Sequence, residues 1–236
     1  MTIKQLKSGI YRSLFFLGII ILVTLMDGGC STAAREIKKH TLILLIVGED
    51  LSGTFTGFAQ ITDGHLKKIC DQVSINKGGG KVVFIGIGST TPIGYATCTI
   101  LPLIENSDDA TVSEKIKNKK SNEKKSQKNK VETDRFIQET QKILAERRQP
   151  HTDINGFFEK VRLLLNESGN DKFEKWLYIN SDGKQSTKNT NKIDCSLIPS
   201  DISNFCINGW KAKDECGASC KFLSPGEFIA YFSSKN

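Results

Sequence analysis

The sequence predicts an α/β fold, built as a doubly wound and mostly parallel sheet with helices on both faces. Two apolar runs of strand length, residues 41–47 and 81–87, are rich in β-branched residues. Such runs are typical of strands that are buried on both faces. The segment between them, residues 66–73, has its apolar side chains at helical spacing and is followed by three glycines. Strand, helix and strand within about 45 residues form a βαβ unit, which implies parallel strands.

The next segments along the chain differ sharply in composition. Residues 95–103 are predicted as an edge strand that Pro102 closes, because proline cannot donate to a sheet ladder. Residues 113–130 hold eight lysines, two glutamates and one aliphatic residue. This segment cannot bury an apolar face, so we interpret it as a solvated or disordered insertion, spanning about residues 105–132. A contact with nucleic acid or anionic lipid is the alternative.

Helical and strand patterns resume after this insertion. The second of two predicted helices carries a regular stripe of phenylalanine, valine and leucine. The final helix begins with a serine, a proline and a glutamate at the spacing of a helix N-cap and capping box. The predicted elements are helices at 136–144 and 157–165, strands at 176–179 and, more weakly, 201–207, and a last helix that begins at Ser224.

The first thirty residues have the features of an export signal. Three basic residues precede an apolar run of 13 residues, 14–26. This run is shorter than the roughly 20 residues of a membrane-spanning helix and fits the hydrophobic region of a signal peptide. Residues 28–31, Gly-Gly-Cys-Ser, resemble the cleavage site of a bacterial lipoprotein, although Asp27 stands where that pattern usually has an apolar residue.

The lipoprotein resemblance implies a signal peptide at residues 1–29, lipid attachment at Cys30 and a tether at residues 30–40. The protein would then be exported and membrane-anchored, on the periplasmic or cell-surface side. An uncleaved signal anchor and an ordinary secretory signal are the alternatives, and each of them also predicts export.

Seven cysteines are compatible with an exported protein. If Cys30 carries lipid, six remain, and an even set permits disulfides in an oxidising compartment. Six cysteines allow 15 pairings, and the sequence does not choose among them. A zinc site is an alternative for the last four, although one side lacks the usual tight paired spacing. The six are Cys70, Cys98, Cys195, Cys206, Cys216 and Cys220.

The net charge of +7 does not describe one basic surface. Residues 1–29 contribute +2 and residues 113–130 contribute +6, which leaves −1 for the rest of the chain. The remaining domain is therefore near neutral, and nucleic acid is not the partner that this charge distribution predicts.

Three polar clusters fall at the predicted carboxyl ends of strands or at a neighbouring helix start. They are Asp50-Leu-Ser52-Gly-Thr54, His151-Thr152-Asp153 and Ser181-Asp182-Gly183. In open α/β sheets, ligands bind outside the carboxyl ends of the strands, so these clusters are expected to converge. Carboxylate and hydroxyl oxygens suit a hard divalent cation such as Mg²⁺. As the alternative, the hydroxyls serve only as helix caps and turn formers.

The order of these elements resembles a von Willebrand factor type A domain over residues 41–235. The family's metal-ion-dependent adhesion site is a DxSxS motif completed by a distant Thr and a distant Asp. Asp50, Ser52 and Thr54 match the DxSxS motif, Thr152 the distant Thr and Asp182 the distant Asp. Two features depart from the family pattern: Gly48-Glu49 at the end of the first strand, and the lysine-rich insertion.

This resemblance implies a binding module and not an enzyme. Mg²⁺ or Mn²⁺ would be held by Ser52, Thr54 and Thr152, and through water by Asp50 and Asp182, and would accept an acidic side chain from a partner protein. In one alternative the fold is only a scaffold, and the lysine-rich loop or the cysteine-rich tail makes metal-independent contacts. In another, the Asp50 motif approaches that of haloacid-dehalogenase-like phosphatases, in which the first Asp is the nucleophile, but Ser52 replaces the general acid.

Overall fold

The computed structural model describes residues 41–75, 78–90, 92–167, 169–187, 191–210 and 215–235. Contacts divide the chain into two units, Met1–Lys39 and His40–Asn236, and the described residues all belong to the second. The predicted signal peptide, Cys30 and tether lie outside the described residues. The elements are β1 (Leu42–Asp50), α1 (Asp63–Ile75), β2 (Gly80–Ile87), β3 (Gly94–Ile100), α2 (Val112–Ala145), α3 (Ile154–Leu165), β4 (Phe173–Asn180), β5 (Asn204–Asn208), β6 (Lys221–Phe222) and α4 (Pro225–Ser234).

These elements form the predicted doubly wound α/β fold. The six strands follow the order β3-β2-β1-β4-β5-β6, and every neighbouring pair is parallel except β2 and β3. From β1 the chain builds the sheet first towards β3 and then, from β4, towards β6. The point at which this direction reverses lies between β1 and β4, and it is where open α/β sheets bind ligands.

Helices cover both faces of the sheet, because β1 and its neighbours bury side chains on each side. The first face packs against α1, α2 and α4, with Phe136 of α2 and Phe228 of α4 in its core. The second face packs against α3 through its predicted apolar stripe, which includes Phe157 and Phe158. A strand whose two faces are both covered needs a continuous apolar run, as residues 43–47 provide.

The lysine-rich segment is solvated, as one of the two predicted alternatives has it, but it is helical and not disordered. It forms the first half of α2, which continues without a break to Ala145. Thr111 and Glu114 cap its start with a complete capping box. The prediction required an apolar face for packing, whereas this half of α2 packs through polar side chains. Asn122, for example, receives a hydrogen bond from the Ile104 N–H and donates one to its carbonyl oxygen, both at 2.8 Å.

The cysteines resolve into one disulfide and several thiols. Cys195 is bonded to Cys216 across a separation of 21 residues. A zinc site built from the last four cysteines is therefore excluded, since two of the four sulfurs are bonded to each other. Cys70 and Cys98 are buried thiols that hydrogen-bond to each other inside the first core.

Candidate metal site at the carboxyl edge of the sheet

The site residues gather at the reversal point of the sheet. Asp50 is the last residue of β1, and Ser181 directly follows β4, whose register pairs Glu49 with Asn180. The N-terminus of α3 reaches the same edge, because the Asp153 N–H donates to the Gly88 carbonyl oxygen just beyond β2. We call this side of the sheet the carboxyl edge.

Asp50 is at the centre of the site and is only 1% exposed. The Ser52 N–H donates to Asp50 Oδ1 at 2.8 Å, and Ser181 Oγ donates to Asp50 Oδ2 at 2.7 Å. Burial raises the pKa of Asp50, and the negative charge of Asp182 raises it further, while the hydrogen bonds from Ser181 and Ser52 oppose this shift. Burial and the charge of Asp182 therefore disfavour the ionised form of Asp50, and a cation bound beside it would stabilise that form.

The predicted hydroxyls lie beside this carboxylate. Ser52 Oγ is 3.1 Å from Thr54 Oγ1, and Thr152 Oγ1 is 3.5 Å from Asp50 Oδ1. Thr152 is fully buried, so its hydroxyl is fixed in the interior of the site. The structure thus brings Asp50, Ser52, Thr54 and Thr152 together from two separate segments of the chain.

Asp182 is the fifth predicted residue, and it interacts electrostatically with Asp50. Among the described residues, no hydrogen bond joins the two side chains. Its side chain is 9% exposed and forms an ion pair with Lys184 at 3.2 Å. The Lys184 side chain is 73% exposed, so it can swing into solvent at little cost if a metal ion takes its place.

The loop after β1 is held by the chain segment that follows α2. The Leu51 carbonyl oxygen accepts hydrogen bonds from the N–H groups of both Arg148 and Gln149. The Gly53 N–H in turn donates to the Gln149 carbonyl oxygen at 3.0 Å. Arg148 has a positive φ of 76°, a conformation that costs a non-glycine residue energy, so the rest of the turn must hold it in place.

A second loop, residues 181–187, fixes Thr152 and the start of α3. The Thr152 N–H donates to Ser186 Oγ at 3.0 Å, and its carbonyl oxygen accepts from the Ser186 N–H at 2.9 Å. Gln185 Oε1 accepts from the Ile154 and Asn155 N–H groups, so it caps the helix. Ser181 belongs to one of the polar clusters predicted at this edge, although not to the predicted metal ligands. Gln185 and Ser186 were not predicted, since no local pattern distinguishes their contacts from ordinary loop polarity.

Gly183 fixes the path of this loop directly after Asp182. Its φ is 75°, and a Cβ at this position would lie 2.1 Å from Cδ1 of Trp210. Trp210 is buried in the second core and hydrogen-bonds to Glu215 through Nε1 at 2.9 Å. Only glycine fits here, so the Ser181-Asp182-Gly183 sequence is needed for the turn as well as for its polar side chains.

Glu49 is a buried acid next to the site that the sequence analysis noted only as a departure from the family pattern. It is fully buried, accepts from Asn180 Nδ2 at 2.7 Å, and forms an ion pair with Arg147 at 3.2 Å. Burial raises the pKa of Glu49 from 4.5 to about 7, although Asn180 and Arg147 both oppose this shift. Glu49 therefore ties β1, β4 and the turn after α2 together.

Within the described ranges, no cluster of three or more histidine, cysteine, aspartate or glutamate side chains could hold a metal ion. The predicted donor set has two carboxylates and three hydroxyls, so it is not a cluster of that kind. Among the same residues, no helix is both long enough and apolar enough to cross a bilayer.

Comparisons with known proteins do not assign this chain to a family. No family model matches the chain, and no curated protein matches it. One solved structure with limited similarity is the pilus adhesin SpaC from Lactobacillus rhamnosus GG in its open conformation, at 16% sequence identity and a TM-score of 0.34. The match covers 63% of this chain, which spans about 15% of the adhesin. We base no inference on a similarity of this size.

Proposed function

We propose that this protein is a membrane-tethered binding module of the von Willebrand factor type A class. Its carboxyl edge would bind a partner protein through a divalent cation, Mg²⁺ or Mn²⁺. The observation that carries the proposal is the buried Asp50 carboxylate, which lies among the hydroxyls of Ser52, Thr54 and Thr152 at the reversal point of the sheet.

The donor set fits such an ion. Oxygen ligands are what Mg²⁺ prefers, and hydroxyls neutralise its charge less than carboxylates do. The second carboxylate, Asp182, has an unfavourable electrostatic interaction with Asp50 that a cation between them would reverse. When bound, the ion would supply an electrophilic centre for an acidic side chain of the partner. The chain's own residues hold the site rigid, since Ser181 orients Asp50 and Ser186 orients Thr152.

The same geometry disfavours the phosphatase alternative. Both oxygens of Asp50 accept hydrogen bonds, and the residue is 1% exposed. A nucleophilic carboxylate needs one oxygen free to reach the substrate. We therefore propose a binding function and not catalysis.

A metal titration tests the site. The fragment of residues 31–236 contains every described strand and helix, and its binding of Mg²⁺ and Mn²⁺ can be measured by calorimetry alongside the Asp50→Ala variant. We expect saturable one-to-one binding that Asp50→Ala abolishes and that Asp71→Ala, at an exposed position of α1, leaves unchanged. No saturable binding by the wild type, or equal binding by all three proteins, would contradict the proposal.

A capture experiment tests the dependence of partner binding on the ion. Immobilised fragment should retain an exported or surface protein in Mg²⁺ and release it in EDTA, and Asp182→Ala should remove this difference. If the same partner binds equally with and without EDTA, the fold acts as a scaffold with metal-independent contacts.

The tether is tested separately. Cys30→Ser should abolish incorporation of labelled fatty acid and move the protein out of the membrane fraction. Retention of Cys30→Ser in that fraction without label would indicate an uncleaved signal anchor instead.

A further inference from the structure

The first half of α2 extends beyond the sheet on the side opposite to the candidate metal site. The C-terminal end of α2 lies at the carboxyl edge, since Arg148 hydrogen-bonds to Leu51 there. Asn129 lies at the other edge, because it bonds to Leu101 just after β3, whose last residue pairs with Gly80 at the start of β2. We call this second side the amino edge. The residues of α2 before Asn129 therefore continue past it, over about 25 Å at 1.5 Å per residue.

This projecting half, residues 112–128, is braced along one face. The preceding segment runs antiparallel beside it and bonds to it at successive turns of the helix. Besides the contacts of Asn122 and Asn129, Asn118 Nδ2 donates to Asn106 Oδ1 at 3.0 Å, and Lys125 Nζ donates to the Pro102 carbonyl oxygen at 2.9 Å. We call residues 112–128 of α2, with this bracing segment, the arm.

The arm carries a stripe of lysines on its other side. Lys117, Lys120, Lys124 and Lys128 recur at a spacing of three or four residues, and all four are exposed. At about 100° per residue they fall within an arc of about 80°, away from the bracing asparagines. The acidic residues of the arm lie outside this arc on the helix or on the bracing segment: Glu105, Asp108, Asp109, Glu114 and Glu123.

Two exposed apolar side chains accompany the lysines at the tip of the arm. Val112 is 75% exposed and Ile116 is 52% exposed. Apolar groups gain nothing from a phosphodiester backbone, whereas they are stabilised at the interface of a lipid bilayer. The combination of lysines and apolar residues on one rigid helix therefore favours an anionic lipid surface over a nucleic acid.

The chain enters the described domain at the same amino edge. Leu42 opens β1 and pairs with Phe173 at the start of β4. The ten residues before Thr41, 31–40, span at most about 35 Å when fully extended. A lipid at Cys30 would therefore keep the amino edge, and the arm that projects from it, close to the bilayer.

We propose that the lysine stripe of the arm binds the anionic headgroups of the membrane to which the protein is tethered. This contact would hold the amino edge towards the bilayer and turn the carboxyl edge outward, where a partner protein can reach it. The inference rests on the proposed tether for its location, but binding of the arm to lipid is measurable without the tether.

The test is a vesicle co-sedimentation assay with the 31–236 fragment, which lacks the predicted lipid and signal peptide. Vesicles contain phosphatidylcholine with or without phosphatidylglycerol, in about 0.1 M salt. We expect binding only to the anionic vesicles. Each basic residue near such a surface strengthens binding by at most about fivefold, so replacing all four stripe lysines with glutamine should weaken it by at least about tenfold and by up to about 600-fold.

A control variant changes four exposed lysines away from the arm, Lys68, Lys142, Lys192 and Lys221, to glutamine. It loses the same charge and should keep its binding. Equal loss in both variants, no binding to anionic vesicles, or tighter binding to a short DNA duplex at the same salt would overturn the proposal. Calorimetric Mg²⁺ binding should be unchanged in the stripe variant, so failure of the arm and failure of the metal site are distinguishable. A Cys30→Ser full chain separates failure of the tether from both.

Discussion

Ser181 Oγ donates a 2.7 Å hydrogen bond to Asp50 Oδ2 across the reversal point of the sheet. The two residues are 131 positions apart in the sequence, and both are buried. The Gly183 N–H donates to Ser181 Oγ at 3.1 Å, so the hydroxyl is itself oriented. Ser181 thus positions the central carboxylate of the candidate metal site.

Ser181→Ala should weaken Mn²⁺ binding by about tenfold, because groups that orient a metal ligand contribute this much to affinity. The overall fold should remain, since the change removes one oxygen without creating a clash. Calorimetric titration measures the effect, and Ser203→Ala, at an exposed position, is the control. Unchanged affinity in Ser181→Ala would show that Asp50 needs no support from β4.

Glu49 should make the metal-free protein less stable as the pH rises from 4.5 to about 7. Over this range Glu49 loses its proton in the unfolded state but keeps it in the folded state, so the free energy of unfolding falls progressively. Above about pH 7 Glu49 is ionised in both states, and its contribution no longer changes with pH. Glu49→Gln removes this effect. Between pH 4.5 and about 7, the free energy of unfolding of this variant should rise by about 3 kcal/mol relative to that of the wild type.

The measurement for Glu49 is urea denaturation at a series of pH values in EDTA. Glu146→Gln, at an exposed position of the turn after α2, should track the wild type. A constant difference between Glu49→Gln and wild type at all pH values would mean that Glu49 ionises alike in both states.

Gly48→Ala should destabilise the protein by about 1–3 kcal/mol through overpacking. A Cβ at Gly48 would lie 2.6 Å from Cε2 of Phe157, on the helix whose start carries Thr152. Thermal unfolding measures the loss, and Gly64→Ala, where a Cβ would make only an ordinary contact with Thr62 Oγ1 at 3.7 Å, is the control. Adding Phe157→Leu to Gly48→Ala should recover part of the stability, and no recovery would point to a cause other than this contact.

The disulfide between Cys195 and Cys216 should contribute about 3 kcal/mol, as expected for a loop of this length. Replacing both cysteines with serine should lower the free energy of unfolding by that amount. Reductant should lower the melting temperature of the wild type and have little effect on the double variant. A wild type that is insensitive to reductant would contradict this contribution.

Asn129→Ala should cost about 2 kcal/mol, because it leaves the partly buried N–H and carbonyl groups of Leu101 without their partner. It should also speed trypsin cleavage in the lysine-rich half of α2 by loosening the bracing segment. Denaturation and timed proteolysis measure the two effects. Asn118→Ala, whose hydrogen bond is exposed, should change both much less.

Several elements were predictable because their signals are local. Continuous apolar runs predicted β1, β2 and β4, and Pro102 predicted the end of β3. The serine, proline and glutamate at residues 224–227 predicted the start of α4, where the structure has a full capping box. Strand burial, proline chemistry and capping act within a few residues, so they are visible in the sequence.

The sequence by itself determined the class of fold and the polar residues that follow its central strands, because strand burial and turn formation depend on residues that are close together in the sequence. Tertiary structure alone decided the antiparallel direction of β3, the helical state of the lysine-rich segment and the roles of Ser181 and Glu49. Each of these depends on partners far along the chain: the asparagines of α2 need the bracing segment, and Glu49 needs Arg147 and Asn180. Contacts of that kind exist only once the sheet has brought distant residues together.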